Sequence, residues 1–378
     1  HKYIKSLIQK EAIIIFEQVS DRFSPKVVKK IRLTEHFVQE EGMLEELFEQ
    51  LTPRPKQLDI LLNYLQQVPV HQDINLNYAG IEKSKLANNP HLSKSSIDSL
   101  LSVISQKTAL TSPTSDLYRL NQNDTILNPS PEWIQLLKNA QQDYEESNKS
   151  WDPSLGPVQA IWSFSASGAR LQDSVDVGQV LSKVGLSKII LTDSLIRKTT
   201  SGHSIDFTDY AQGLALDQVS AYFEQKGISN YFLQLGRYTL AKGVNERQEL
   251  WKSKLSYPGD SLGLEKEGIL ALQDKAIASA GDFNSFYTQD SVKKAFQLDP
   301  RTGYPVNHGL LAVSVLAPST RKAGVLSETL MVQGWREAIA LDSANAEVEM
   351  ILVYHEKGSG IKLYASPELR KYLSFPVK

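Results

Sequence analysis

The sequence predicts an α+β fold with a mixed, largely antiparallel sheet and flanking helices over residues 96–378, preceded by a helical region over residues 1–95. Three observations carry that expectation. After Ser96, short strand-like apolar runs alternate with amphipathic stretches of helical period. Two pairs of those runs are joined by hairpin-type turns. Before Ser96, apolar residues recur at three- and four-residue steps among charges.

In order along the chain, Val27, Val28, Ile31, Leu33, Phe37, Leu44, Leu47 and Leu51 carry the helical spacing up to a break at Pro53 and Pro55. A second helical stretch runs from Gln57 to Val68. The Asn-rich segment from Asn75 to Ser95 has few periodic signals and marks the domain boundary. Helical patterns follow at Ile97–Gln106 and Glu132–Glu146. Ile189–Leu191 and Leu195–Lys198 flank Thr192–Ser194 as one hairpin, and Met350–Tyr354 and Ile361–Tyr364 flank Lys357–Gly360 as another. Tyr231–Leu235 and Leu310–Val315 read as buried strands. Two longer helices complete the pattern. One runs from Gly213 to Gln225 and stops at Gly227; the other follows Pro318 with Ser319 as its N-cap.

Composition narrows the chemistry. The 378 residues are 41% hydrophobic and 22% charged, an ordinary balance for a globular protein. With 41 basic against 43 acidic residues there is no cationic excess to neutralise a phosphate backbone, so no nucleic-acid partner is expected. The absence of cysteine excludes thiol nucleophiles, iron–sulfur clusters and cysteine-based zinc sites. The apolar run Ala12–Phe16 is too short to span a bilayer, and no leader pattern is visible.

Seven segments in fixed order then point to one family. Residues 115–121 read S-D-L-Y-R-L-N, like S-E-L-x-R-L-N. Residues 151–157 read W-D-P-S-L-G-P and are followed by I-W-S-F at 161–164, like F-D-P-T-V-G-P and L-W-G-F. Residues 206–217 read D-F-T-D-Y-A-Q-G-L-A-L-D, against D-L-G-G-I-A-K-G-Y-A-V-D. Q-L-G-R at 234–237 stands for N-L-G-G, A-S-A-G-D-F at 278–283 for A-T-S-G-D-Y, and D-P-R-T-G is intact at 299–303. Residues 323–334, A-G-V-L-S-E-T-L-M-V-Q-G, lie without gaps on A-D-A-L-S-T-A-L-F-V-x-G. The chain therefore resembles the ApbE family of FAD:protein FMN transferases. The resemblance does not reach the first ninety residues, where no M-G-T strand is seen.

The resemblance implies a reaction. In that family an acceptor-protein threonine attacks the FAD pyrophosphate, leaving FMN in phosphoester linkage and releasing AMP. Magnesium is held there by an Asp and a Thr four residues apart on one helix, together with an alanine carbonyl. Such transfer needs a cation for the developing charge and a group that takes the hydroxyl proton. Carried over residue by residue, the flavin-nucleotide positions are Asp206, Ala211, Gly236, Arg237, Ser279, Gly281, Asp282 and Thr302. The metal positions are Ala211 and Glu328, with Asp209 as a new neighbour.

Several positions depart from the pattern. Gly324 stands where the family has its metal-binding Asp, and Glu328 where it has Thr. Phe296 stands where it has a His three residues before D-P-R-T-G, and phenylalanine cannot accept a proton. Thr208, Asp209 and Arg237 replace glycines that permit close ligand approach, and Gln212 replaces a lysine. None of the seven histidines forms an i, i+4 pair suited to a metal, and His308 reads as an ordinary surface residue. Two readings of Glu328 stay open, a ligand of a shifted metal site with Asp209 or Asp206, or a solvated or salt-bridged helix residue. Two readings of Arg237 stay open as well, a phosphate contact or a partner for a carboxylate such as Asp209.

The functional expectation is a divergent, catalytically impaired homologue that binds a flavin nucleotide or a protein partner, with FAD as the nucleotide and magnesium in doubt. The alternatives are an active magnesium-dependent transferase with a relocated metal site, and an interaction module with an empty pocket. Family habit implies a periplasmic or otherwise exported protein and leaves the cytoplasm open.

Overall fold

The computed structural model describes residues 13–20, 26–40, 42–68, 70, 76–79, 81–82, 94–245, 247–256, 267–345 and 347–373. The chain divides into two compact units, His1–Ile97 and Asp98–Lys378.

The larger unit is built on a six-stranded sheet whose spatial order follows the chain: β1 (Tyr231–Leu235), β2 (Tyr238–Lys242), β3 (Ala276–Gly281), β4 (Leu310–Ala317), β5 (Glu349–Glu356) and β6 (Gly360–Ala365). Every neighbouring pair is antiparallel. Both faces are covered, which is why β4 reads as an almost unbroken apolar run, L-L-A-V-S-V-L-A, instead of alternating. On one face Val313, Val315, Met350 and Leu352 pack with Leu330 and Met331 of a helix. On the other, Ile277, Leu316 and Ile351 pack beneath Leu255, Leu270 and Leu272. Those three come from the antiparallel pair Trp251–Ser256 and Glu267–Leu272. The expected hairpins at Ile189–Leu191 with Leu195–Lys198, and at β5 with β6, are both present.

Helix α1 (Pro131–Glu146) packs with residues of α2 (Thr208–Gln225) and α3 (Thr320–Gln333), and α2, α3 and α4 (Trp335–Ala344) pack on the sheet. The expected caps hold. Ser319 Oγ accepts from Lys322 N at 3.2 Å, starting α3 where Pro318 ends the strand. The chain leaves α2 at Gly227, with φ at +70°. Asp217 of α2 supplies a second cap that the sequence does not announce. Its Oδ1 accepts from Thr320 N at 2.8 Å and its Oδ2 from Arg321 N at 3.0 Å. A carboxylate on these orphan N–H groups satisfies donors and complements the positive helix end.

The recurrent segments lock to one another across long sequence distances. The Asn121 side chain donates to Ile205 O at 2.8 Å and accepts from Ile205 N at 2.9 Å, 84 residues away. Asp206 N donates to Pro153 O at 2.8 Å. Trp162 Nε1 donates to Gly303 O at 2.9 Å. Tyr210 Oη and Arg321 both donate to Asp143, joining α1, α2 and α3 through one buried carboxylate. The order of the segments along the chain is thus the wiring of one scaffold.

The N-terminal unit differs from a purely helical region. Its helices Met43–Leu51 and Pro55–Gln67 match the expected periodicity, but Ile13–Ser20 and Lys26–Leu33 form an antiparallel pair. Ile81–Glu82 adds a third strand beside Lys30 and Ile31. Val27, Val28, Ile31 and Leu33 therefore lie in a strand and not in a helix. Ile31 and Leu33 are buried around half-buried Arg32, a period of two that three- and four-residue counting hides. The β-branched content of this run favours the strand as well. Ile31 and Leu33 share a core with Leu47, Leu51, Leu61 and Tyr64. Most of the Asn75–Ser95 boundary segment lies outside the described residues. Among those residues no helix is long and apolar enough to cross a membrane.

Replacing Asn121 with alanine leaves both polar groups of Ile205 without partners in a partly buried place. An unmade buried hydrogen bond costs about 1–3 kcal/mol, so Asn121→Ala should lose about 2 kcal/mol in urea denaturation. A loss within a few tenths would show that this tie is not structural.

Candidate functional site

The turn between β1 and β2 is the starting point. Gly236 sits there at φ +56°, a left-handed conformation, and a side chain at this position would also run into Gln212 Oε1. The turn delivers Arg237 to three other elements. Its Nη1 donates to Ser279 O of β3 at 3.0 Å and to Ser327 Oγ of α3 at 3.0 Å. Its Nη2 donates to Glu328 Oε1 at 2.8 Å. Nε lies 3.7 Å from Asp209 Oδ1 in the first turn of α2, too far for a hydrogen bond, and is buried without one. The guanidinium carbon also lies 4.7 Å from the centre of the Tyr238 ring, within cation–π range.

Tyr238 explains Gly324. The ring is buried to 2% exposure, and a Cβ on Gly324 would come within 2.6 Å of both Cε1 and Oη. Helix α3 therefore has to present bare backbone at this point. One turn later Ser327 donates to Gly324 O at 2.9 Å while accepting from Arg237, so the hydroxyl relays the arginine to the helix.

Glu328 faces a narrow cleft. About a third of its side-chain surface (34%) is exposed, and the residue lines that cleft. Burial accordingly dominates its carboxyl and raises the pKa; Arg237 pulls it back down and Asp209 pushes it up again.

Two cavities meet the Arg237–Glu328 pair. Arg237 lines one of about 430 Å³ with Gly236, Ser279, Gly281, Asp282 and Phe283. Glu328 lines the other, of about 350 Å³, with Trp151, Asp152, Asp206, Asp209 and Tyr210. The first is within the size range of small-molecule sites and combines two cationic residues, Arg237 and Lys254, with hydroxyl groups and an aromatic ring.

Comparison with known proteins identifies this arrangement. The ApbE family model matches residues 70–352. The chain belongs to the ApbE family. A second model, a winged helix domain of the PriA helicase from Bacteroidota, matches residues 28–103. Among curated relatives, the FAD:protein FMN transferase of Vibrio cholerae is 27% identical over 79% of this chain and 89% of its own length. The corresponding transferase of Haemophilus influenzae is 27% identical over 69% and 78%. A solved structure of the Vibrio cholerae flavin transferase ApbE, a mutant form, superposes with a TM-score of 0.63 at 25% identity, covering 75% of this chain and 93% of that one. The apo form of Pseudomonas stutzeri flavinyl transferase ApbE reaches the same TM-score at 19% identity over 97% and 98%, a likeness of fold.

Within this ApbE-family chain the residues singled out from sequence fall into three places. Asp209, Gly236, Arg237, Ser279 and Glu328 converge, with the hydroxyls of Ser279 and Ser314 2.7 Å apart beneath them. Asp206, Gly281 and Asp282 line the adjoining cavities. Asp206 Oδ1 accepts from Thr208 N at 2.8 Å at the start of α2. Asp282 accepts from Asn284 N and Ser285 Oγ, which hold its pKa below the usual value. Ala211 lies within α2, where its carbonyl belongs to the helical ladder. Thr302 and Phe296 line neither cavity. Thr302 Oγ1 accepts from Tyr304 N in the Asp299–Tyr304 turn. Phe296 stacks on Phe164 and Tyr287, at 5.3 and 6.1 Å between ring centres.

His308 is a correction to the sequence reading. It is half-buried and tied down: Nε2 bonds to Val332 O at 3.1 Å, Nδ1 accepts from Leu310 N at 3.3 Å, and burial lowers its pKa. Both nitrogens are committed to backbone. Asp152 was missed as a titratable group. It is 8% exposed, its Oδ1 accepts from Ser154 N at 2.8 Å and Ser154 Oγ at 2.6 Å, and burial lifts its pKa to about 6. The W-D-P-S segment held the signal, a carboxylate inside an apolar loop.

Asp152 gives stability a direction with pH. Its folded pKa lies above the ordinary 3.8, so the folded state keeps the proton that the unfolded state releases. Stability from this group therefore falls as pH rises from about 4 to about 6, and above that the cost is complete. Asp152→Asn keeps an acceptor for Ser154 and removes the charge. It should gain on the order of 2 kcal/mol over the parent at pH 7.5 and clearly less at pH 5 in parallel urea titrations. An equal or inverted difference would show that Asp152 is not held by burial.

Proposed function

We propose that this chain is a flavin-nucleotide-binding member of the ApbE family in which Arg237 takes the place of a divalent metal and flavin transfer is impaired. The observation that carries the reading is the bond from Arg237 Nη2 to Glu328 Oε1 at 2.8 Å, with Asp209 3.7 Å from Nε. Both carboxylates that a shifted metal site would use already face an internal cation.

The residues do not fit magnesium in the way the family resemblance implies. Gly324 offers no oxygen from a side chain, and Tyr238 fills the space one would need. Hard divalent cations require several oxygen ligands, and although four carboxylates line the Glu328 cavity, among the described residues no three His, Asp or Glu side chains are placed to hold one ion. A guanidinium brings one positive charge where the metal brings two, and Glu328 neutralises it at rest. The histidine that the family pattern places before D-P-R-T-G is missing as well. Phe296 has no proton acceptor to offer, and His308 is held by Val332 O and Leu310 N.

Nucleotide binding is supported by the cavity on the Arg237 side. Arg237 and Lys254 bring positive charge to its lining. Phe283 gives a ring surface, and Ser279, Asp282 and Asn284 give polar groups at the same wall. Curated relatives are FAD:protein FMN transferases, so FAD is the nucleotide to test. Nucleic acid is a poor fit for the N-terminal unit despite its winged-helix likeness. Helix Met43–Leu51 carries Glu45, Glu46 and Glu49 and no basic residue.

Purified protein should show a rise in melting temperature with FAD that is the same in EDTA and in magnesium, because ligand bound to the folded state stabilises it. The same protein, given FAD, magnesium and a threonine-bearing acceptor, should form no covalent flavin adduct detectable by mass spectrometry. Robust flavinylation would overturn the impairment and return Glu328 and Asp209 to a metal site. No thermal shift with FAD would remove nucleotide binding and leave a protein partner as the function of the pocket.

A further inference from the structure

A third cleft, of about 450 Å³, shares no lining residue with the two cavities beside Arg237. It lies between the hairpin Trp162–Ser165 with Gly168–Leu171, the hairpin Phe286–Gln289 with Val292–Ala295, and the 304–307 loop. Asp290 and Ser291, at φ +53° and +62°, turn the second hairpin tightly and fix the register that pairs Tyr287 with Lys294.

Lys294 is the unusual group. It is 4% exposed, and its Nζ donates to two neutral amide oxygens, Gln289 Oε1 at 3.0 Å and Asn307 Oδ1 at 2.6 Å. Among the described residues no carboxylate pairs with it. An ammonium has three donors, and a buried charge is normally met by a counter-charge. Here all three members of the arrangement line the cleft. The rest of the lining combines the rings of Trp162, Tyr287 and Tyr304 with small and polar residues, Asp290 of the hairpin turn among them. Trp162, held by its bond to Gly303 O, meets Tyr304 edge-on at 5.8 Å, and Tyr304 is 51% exposed at the mouth.

We propose that this cleft binds a small flat ring bearing one carboxylate or phosphate group, with the anion at the Lys294 ammonium and the ring against Trp162 and Tyr304. The anion supplies the counter-charge that the protein withholds. The aromatic faces supply contact area with little loss of side-chain freedom. The inference stands apart from the flavin reading, since no residue is shared.

Isothermal titration of the full chain with phenyl phosphate and with benzoate tests it, with benzyl alcohol as the uncharged ring and inorganic phosphate as the ringless anion. At least one anionic ring should bind saturably, about tenfold or more tighter than benzyl alcohol; which of the two binds tells phosphate from carboxylate. Lys294→Gln should weaken that binding by about tenfold or more. Tyr304→Ala, a change at an exposed position, should weaken the ring probes and leave inorganic phosphate unaffected, and it decides the question if Lys294→Gln fails to fold. Absence of saturable heat with both anionic rings would overturn the proposal. So would equal affinity for benzyl alcohol, or unchanged binding in a folded Lys294→Gln or Tyr304→Ala variant.

Discussion

The Arg237 guanidinium is the point at which the larger unit is tied together. One side chain on the β1–β2 turn reaches the carbonyl of Ser279 on β3, the hydroxyl of Ser327 and the carboxylate of Glu328 on α3, and faces Asp209 on α2. Each contact depends on a neighbour's size. Gly236 lets the turn form beside Gln212, and Gly324 makes room for the Tyr238 ring that carries the cation on its face. A charged group in so enclosed a place is tolerated because its two terminal nitrogens donate to a carboxylate, a hydroxyl and a carbonyl, while Nε alone goes without a bond. Removing one partner alone would leave a charge without compensation, so the five positions act as one unit.

That coupling gives the substitutions in this chain a single explanation. Against the family pattern, a glycine becomes Arg237, a threonine becomes Glu328, a glycine becomes Asp209 and an aspartate becomes Gly324. In total the place gains a fixed cation with two acidic neighbours and loses one carboxylate. The change is an exchange of one electrostatic arrangement for another. Scaffold contacts such as Asn121 with Ile205 and Asp217 with Thr320 keep the surrounding elements where the family fold has them.

Much of this was legible in the sequence, for identifiable reasons. Strands β1, β4, β5 and β6 and helices α1, α2 and α3 follow from apolar period and capping residues, which are local properties. The family likeness followed from segments whose residues serve turns, caps and cross-chain ties. What was hidden depends on distance in space. Arg237 and Glu328 are 91 residues apart, and no pattern in either segment says that one bonds to the other. Asp209 was the carboxylate expected beside Arg237, while the shorter contact goes to Glu328. His308 looked exposed because a histidine after a turn usually is, and only the packing of α3 against β4 shows its nitrogens committed to backbone. Residues 26–33 misled through a spacing that suits a helix as well as a strand, and pairing with 13–20 decides it.

The central claim is that an internal guanidinium holds the place of a divalent cation. Electron paramagnetic resonance of Mn²⁺ titrated into the full chain tests it most directly, since the free aquo ion gives a strong signal that binding removes. With Arg237 already in that place, the signal should stay that of free Mn²⁺ with a one-to-one amount of protein, with and without FAD. Loss of about one equivalent of the signal on adding protein, restored by Glu328→Gln, would contradict it.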